Sequence, residues 1–67
     1  MKIEDMLDEQ KQLEERIRAL INFEAGDPAR KDMGEDEEFA LKVQLQSMRT
    51  YLKALKYRIA KIMERNK

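Results

Sequence analysis

Five basic and aromatic residues in the second half of the chain have the chemistry to recognise a phosphate-bearing ligand. They are Arg49, Tyr51, Lys53, Tyr57 and Arg58. Arginine forks match phosphate oxygens, and tyrosine rings can stack on purines. Arg18, from the first half, is a candidate to face them. Repeated around a symmetric subunit interface, these residues would line a pocket for a small anionic nucleotide.

The same residues have a simpler interpretation as ordinary surface. The tyrosines would then pack at an interface with their hydroxyls in water, and the Lys and Arg side chains would form a solvated face. Catalysis has weaker grounds, because the chain has no His and no Cys and lacks a glycine-rich phosphate loop. We therefore expect no enzyme, no metal site and no cofactor. Sequence-specific DNA binding is not expected either, since no third helix completes a helix-turn-helix and the net charge is zero.

The element that positions these residues is a long amphipathic helix, predicted from about 35 to 64. Its apolar residues alternate in steps of three and four, which is the spacing of a helical seam. They are Leu41, Leu45, Met48, Leu52, Leu55, Ile59 and Ile62. Such a helix is unstable alone in water, because another helix has to cover the seam.

A first helix, predicted from about 3 to 25, supplies that cover. Its apolar positions are Ile3, Met6, Leu7, Leu13, Ile17, Leu20 and Ile21. Gln10 stands where the pattern calls for an apolar residue, either to fix the register or as a solvated residue at the rim. Phe23 lies just off the stripe, so it would cap the closed end or face a partner subunit.

The connection between the helices is predicted over residues 26–34. Gly26 is suited to the left-handed position that ends a helix, and Pro28 cannot continue the same helix. Asp27 and Pro28 can also open a single new turn. The acidic run at residues 35–38 favours a helix start, with Asp32 or Asp36 as the cap.

The predicted fold is therefore all-α, a single domain over residues 1–67 forming an antiparallel two-helix hairpin. Charge is divided between its halves. Residues 1–38 carry six Lys or Arg and thirteen Asp or Glu, whereas residues 39–67 carry eight and one. This asymmetry has two interpretations: the arms complement one another across the hairpin, or the second arm carries a basic ligand site.

A homo-oligomer is expected, because a domain of 67 residues without cysteine buries little surface alone. The long helix has a second stripe, and a hairpin covers only one stripe. Its members are Ala40, Val43, Ser47, Tyr51, Ala54 and Arg58. The simplest assembly is a two-fold dimer that forms a four-helix bundle, or a larger symmetric bundle built from such dimers. No apolar run suits a membrane span or a signal peptide, so we expect a cytoplasmic location without membrane partners.

Several of these residues also carry a family resemblance. The stretch from Phe39 through Met48, Tyr51 and Leu55 to Arg58-Ile59, preceded by Leu13-Glu14-Glu15-Arg16-Ile17, resembles small helical-hairpin accessory proteins of tailed bacteriophages, a family named after a reading frame of a crAss-like phage. Phage proteins of this build include counter-defence sponges, which bind cyclic nucleotide or cyclic ADP-ribose immune signals between protomers. The resemblance implies that Arg49, Tyr51, Lys53, Tyr57 and Arg58 face such a ligand.

Two functional hypotheses follow. In the first, the chain sequesters a small anionic cyclic nucleotide-type signal at subunit interfaces without turning it over. In the second, it is a structural or adaptor protein that binds a host or phage protein through its helical surface. They differ in whether polar and aromatic side chains converge in a closed interfacial pocket.

Overall fold

The computed structural model describes residues 2–26 and 28–66, apart from the side chains of residues 29 and 30. Helix α1 spans Ile3–Gly26 and helix α2 spans Glu35–Arg65, and a short 3-10 helix, Pro28–Asp32, lies between them. The two α-helices pack against each other along a rod of 50 × 17 × 17 Å. The predicted all-α hairpin is thus confirmed.

The end of α1 differs from the expectation. The helix continues through Gly26, and no glycine among the described residues has a positive φ. The predicted left-handed position at Gly26 is therefore wrong. The chain turns instead through the 3-10 helix, which begins at Pro28 because proline fits the first position of a helical turn. The predicted capping role of Asp27 lies outside the described residues.

The start of α2 also corrects the sequence interpretation. The N-cap is Gly34, in an extended conformation with φ −76° and ψ 167°, and none of the described side chains caps it. Asp32 belongs to the 3-10 helix and Asp36 lies inside α2, so neither is the cap. The Gly34 carbonyl accepts the first helical hydrogen bond from the Glu38 amide at 3.0 Å. The acidic run remains in the first turn, where it stabilises the positive end of the helix dipole.

The core between the helices consists of two separate clusters of predicted seam residues. Toward the open end, Met6 packs with Leu55 and Ile59. Toward the connection, Leu13 and Ile17 pack with Leu45. Half-buried apolar residues extend both clusters: Ile3, Ile62, Leu20, Met48 and Leu52.

Gln10 lies on α1 at the interruption between the clusters, and it is half-buried. Its side-chain amide donates to Glu14 Oε1 at 3.2 Å. The other oxygen of the same carboxylate is 3.8 Å from Lys56 Nζ on α2. A polar chain therefore crosses the hairpin between its two apolar clusters, although an ion pair this exposed contributes little stability by itself.

One side of α2 has no cover from the other described residues of the chain. Phe39 and Tyr57 keep 70% and 64% of their surface exposed, and Val43 keeps 48%. A single hairpin thus leaves large apolar groups in water along its longer helix. In the described part of the chain, neither helix has an apolar stretch that would span a bilayer.

Candidate functional site

The first candidate site is a basic concavity of about 320 Å³ on one flank of α2. Its cations are Lys42, Arg49 and Lys53, and Gln46 and Thr50 add polar atoms beside the aliphatic floor. Residues 42, 49 and 53 fall on one helix face because they are spaced by seven and four. No carboxylate is among the described residues that line it. We call it the Arg49 concavity.

A second basic concavity, of about 290 Å³, lies at the C-terminal end of α2. Its lining consists of Tyr57, Arg58, Lys61, Ile62 and Arg65. The Lys61 ammonium sits 5.5 Å from the centre of the Tyr57 ring and 3.5 Å from Glu64 Oε2. Part of its positive charge is therefore already engaged by a carboxylate. We call it the Arg58 concavity.

Tyr51 faces neither of these concavities. Its hydroxyl donates a hydrogen bond of 2.6 Å to Glu9 Oε1 on α1, while the residue as a whole stays 44% exposed. The hydrogen bond to the Glu9 carboxylate raises the pKa of Tyr51, because losing the proton would set two negative charges side by side. Nearby Arg58 opposes this shift and lowers the pKa in part.

A third hollow, of about 380 Å³, opens between the helices near the connection. Phe23 lines it together with Leu20, Met48, Arg16 and Gln44. Phe23 is half-buried there, so it covers the closed end of the hairpin. The lining is predominantly apolar, which suits a continuation of the core better than an anion site.

The five predicted ligand residues are thus divided within one chain. Arg49 and Lys53 share one concavity, Tyr57 and Arg58 share the other, and Tyr51 joins the two helices. Arg18 is exposed on α1 and lines neither basic concavity. Whether a partner subunit would reunite these residues stays a prediction.

Some of the residues that line the two basic concavities were not predicted from the sequence. They are Lys42, Gln46 and Thr50 in the Arg49 concavity, and Lys61 and Arg65 in the Arg58 concavity. A signal for Lys42 was present in the sequence, since Lys42, Arg49 and Lys53 recur at helical spacing. The described residues offer no group of three or more acidic, His or Cys side chains that would hold a metal ion.

A comparison with known protein families identifies the family to which the chain belongs. A model of the Sequestin family matches residues 2–61, which is nearly the whole chain and covers α1 and most of α2. The chain belongs to the Sequestin family. Searches of curated proteins and of solved structures gave no match.

The name Sequestin suggests sequestration, which is a binding role and not a catalytic one. This agrees with the sponge type of protein that the sequence resembles. A phage origin stays a prediction, as do the identity of the ligand and the number of subunits.

Proposed function

We propose that this Sequestin chain binds a small anionic nucleotide-type immune signal and withholds it from its effector without chemical turnover, as a phage anti-defence sponge. The observation that carries the proposal is the Arg49 concavity. Three cations line this concavity of about 320 Å³, and no carboxylate is among the described lining residues. Such a surface attracts phosphate groups.

The concavity by itself is open and exposed, so one chain would hold an anion weakly. Tight sequestration requires that a second wall exclude water and strengthen the charge interactions. We therefore place the ligand at an interface between subunits. Arg58, another of the predicted residues, supplies a further cation at the end of the same helix.

The proposal is tested by incubating the purified protein with cyclic dinucleotides, cyclic trinucleotides and cyclic ADP-ribose isomers while its melting temperature is followed. A ligand of the native state at about 100 times its Kd stabilises that state by about 2.7 kcal/mol. Chromatography should recover the bound ligand unchanged. If no compound raises the melting temperature at concentrations well above micromolar, or if the compound returns as a cleaved product, sequestration of these signals is wrong.

A matched pair of variants locates the binding site. Arg49→Gln with Lys53→Gln removes two charges from the Arg49 concavity and should abolish the ligand-induced shift. Lys11→Gln removes a charge from an exposed site on α1 and should retain the shift. Equal loss in both variants would point to a general effect of charge, and retention in both would place the ligand elsewhere.

A further inference from the structure

The side of α2 that points away from α1 forms a continuous uncharged surface. We call it the outer face, and its members are Phe39, Ala40, Val43, Ser47, Thr50, Ala54 and Tyr57. It extends for about 27 Å at 1.5 Å per residue. All residues from 39 to 57 are described, and no charged residue falls on this face among them. In a chain with 42% charged residues, such a surface indicates a buried interface.

Two polar members of the outer face are already satisfied by their own helix. The Ser47 hydroxyl donates to the Val43 carbonyl at 2.9 Å, and the Thr50 hydroxyl donates to the Gln46 carbonyl at 3.0 Å. Neither hydroxyl needs water as an acceptor for its proton, so covering them leaves no unpaired donor. The middle of the outer face can therefore be dehydrated at low cost.

The order of residues along the face identifies its occupant. From the geometry we infer that the outer face pairs, antiparallel, with the same face of a second copy of this chain, about a two-fold axis between Ser47 and Thr50. In this register Val43 meets Ala54 of the other copy, and Ala40 meets its Tyr57. In both of these pairs a large side chain lies against a small one, which is the condition for close packing of helices.

The charges at the two ends of α2 also favour antiparallel pairing. The acidic first turn of α2 includes Asp36, and the basic end includes Lys61. Antiparallel pairing sets Asp36 opposite Lys61 of the second copy at both ends of the interface. Parallel pairing would bring the two acidic turns together and would stack Phe39 on Phe39. Like charges destabilise that arrangement, so only the antiparallel pair is self-complementary.

The pairing depends on this surface alone and requires no ligand. It has one consequence for the proposed function. A two-fold axis perpendicular to α2 keeps the same flank of both helices on one side of the pair. The Arg49 concavities of both copies then open on that side, at about the same level along the pair.

Cysteine cross-linking tests the register, since the natural chain contains no Cys. Val43→Cys and Ala54→Cys are made separately, oxidised alone and oxidised as a mixture. The mixture should give a disulfide dimer at a yield well above that of either variant alone, because only facing positions reach disulfide distance. The matched control is a mixture of Gln12→Cys and Ala19→Cys, both exposed on α1, which should remain largely monomeric on a denaturing gel.

Sedimentation without ligand tests the association itself. The natural protein should reach the dimer mass or a multiple of it, and Ala54→Arg should raise the dissociation constant about tenfold or more. Gln12→Arg introduces the same side chain at an exposed position of α1 and should leave the mass unchanged. The helix content measured by circular dichroism must be the same in the natural protein and in both variants. This separates a loss of association from a loss of folding.

Two results would overturn the inference. One is a monomer mass up to the highest concentration, which would leave the outer face for a different protein. The other is a Val43→Cys homodimer that forms as readily as the mixed disulfide, which would indicate parallel pairing. Neither result depends on whether a nucleotide binds, so the proposed function is judged by its own experiment.

Discussion

The Tyr51 hydroxyl donates a hydrogen bond of 2.6 Å to Glu9 Oε1, joining the two helices across 42 positions of sequence. The sequence predicts that Tyr51 contacts a ligand, because a tyrosine beside arginines suits nucleotide stacking. In the hairpin its polar end has a partner within the same chain. Its ring remains partly exposed, so the residue can still contribute an aromatic edge to an interface.

The first prediction concerns the ionisation of Tyr51. In a Tyr57→Phe background, Tyr51 is the single tyrosine that ultraviolet absorbance can follow. Its pKa should lie above that of an ordinary tyrosine, because the Glu9 carboxylate accepts its proton in a hydrogen bond. Glu9→Gln removes the negative charge and should lower this pKa. An unchanged midpoint after Glu9→Gln would show that this hydrogen bond is not formed in solution.

The same hydrogen bond sets a pH dependence of stability. A pKa raised by folding means that the protonated hydroxyl is favoured in the native state. Its stabilising contribution should therefore be complete below the ordinary tyrosine pKa and disappear as the pH rises through the raised value. Melting temperatures of the natural protein and of Tyr51→Phe should differ at neutral pH and converge at strongly alkaline pH. A gap that widens with rising pH would contradict the assignment.

The second prediction concerns the core at the open end of the hairpin. Leu55 is completely buried and packs with Met6 and Ile59. Leu55→Ala should destabilise the fold by about 2 to 5 kcal/mol, because it leaves a cavity that helices can close only partly. Leu7→Ala, at a position that is 40% exposed, is the matched control and should cost far less. Urea denaturation followed by circular dichroism gives both values, and equal losses would refute the packing described.

The third prediction concerns Gln10, which interrupts the core between the two apolar clusters. Gln10→Leu should stabilise the hairpin by about 1 kcal/mol, since a half-buried leucine replaces an amide whose partner Glu14 also has Lys56 nearby. Urea denaturation measures the change, and Gln12→Leu, at an exposed position of α1, is the control for added hydrophobicity. Destabilisation by Gln10→Leu would instead show that the polar chain through Glu14 specifies the register.

Much of the fold was predictable from periodicity alone. The six residues that are buried in the described part of the chain all belong to the seams predicted from the sequence, because a three- and four-residue spacing leaves a helix only one apolar side for its partner. The helix ends were harder. Gly26 is able to adopt the left-handed conformation that ends many helices, but whether it does so depends on how the chain continues. Here Pro28 follows and favours another helical turn, so Gly26 keeps a negative φ. Local residue types do not determine which of two permitted turns forms.

The candidate site was predictable only in composition. The sequence shows that α2 is basic beyond its acidic first turn, but which cations share a concavity depends on their angle around the helix. Arg49 and Arg58 are nine residues apart and fall on different sides, so one chain cannot bring them together. The partner of Tyr51 was equally hidden, since Glu9 meets it only when the register of two helices is known.

The fourth prediction follows from the uncapped start of α2. Gly34 has an extended backbone that serine adopts readily, and a Cβ built there meets nothing within 4 Å. Gly34→Ser should stabilise the protein by about 0.5 to 1 kcal/mol, because it adds a side-chain cap and restricts the unfolded chain. Gly34→Ala restricts the unfolded chain without a cap and should give a smaller gain in melting temperature. Equal gains would mean that the serine hydroxyl caps nothing.

The last prediction links association to anion binding, and it rests on both the antiparallel pair and the proposed function. If two Arg49 concavities open beside one another, their cations repel, so the natural dimer should weaken as ionic strength falls. Pyrophosphate added at low ionic strength should restore the dimer, because it neutralises the cations of both Arg49 concavities. Arg49→Gln with Lys53→Gln should associate more tightly than the natural protein at low salt and should no longer respond to pyrophosphate. Sedimentation across a salt series measures each step. Tighter natural association at low salt would show that opposite charges, such as Asp36 and Lys61, dominate the interface and that the basic flanks lie apart.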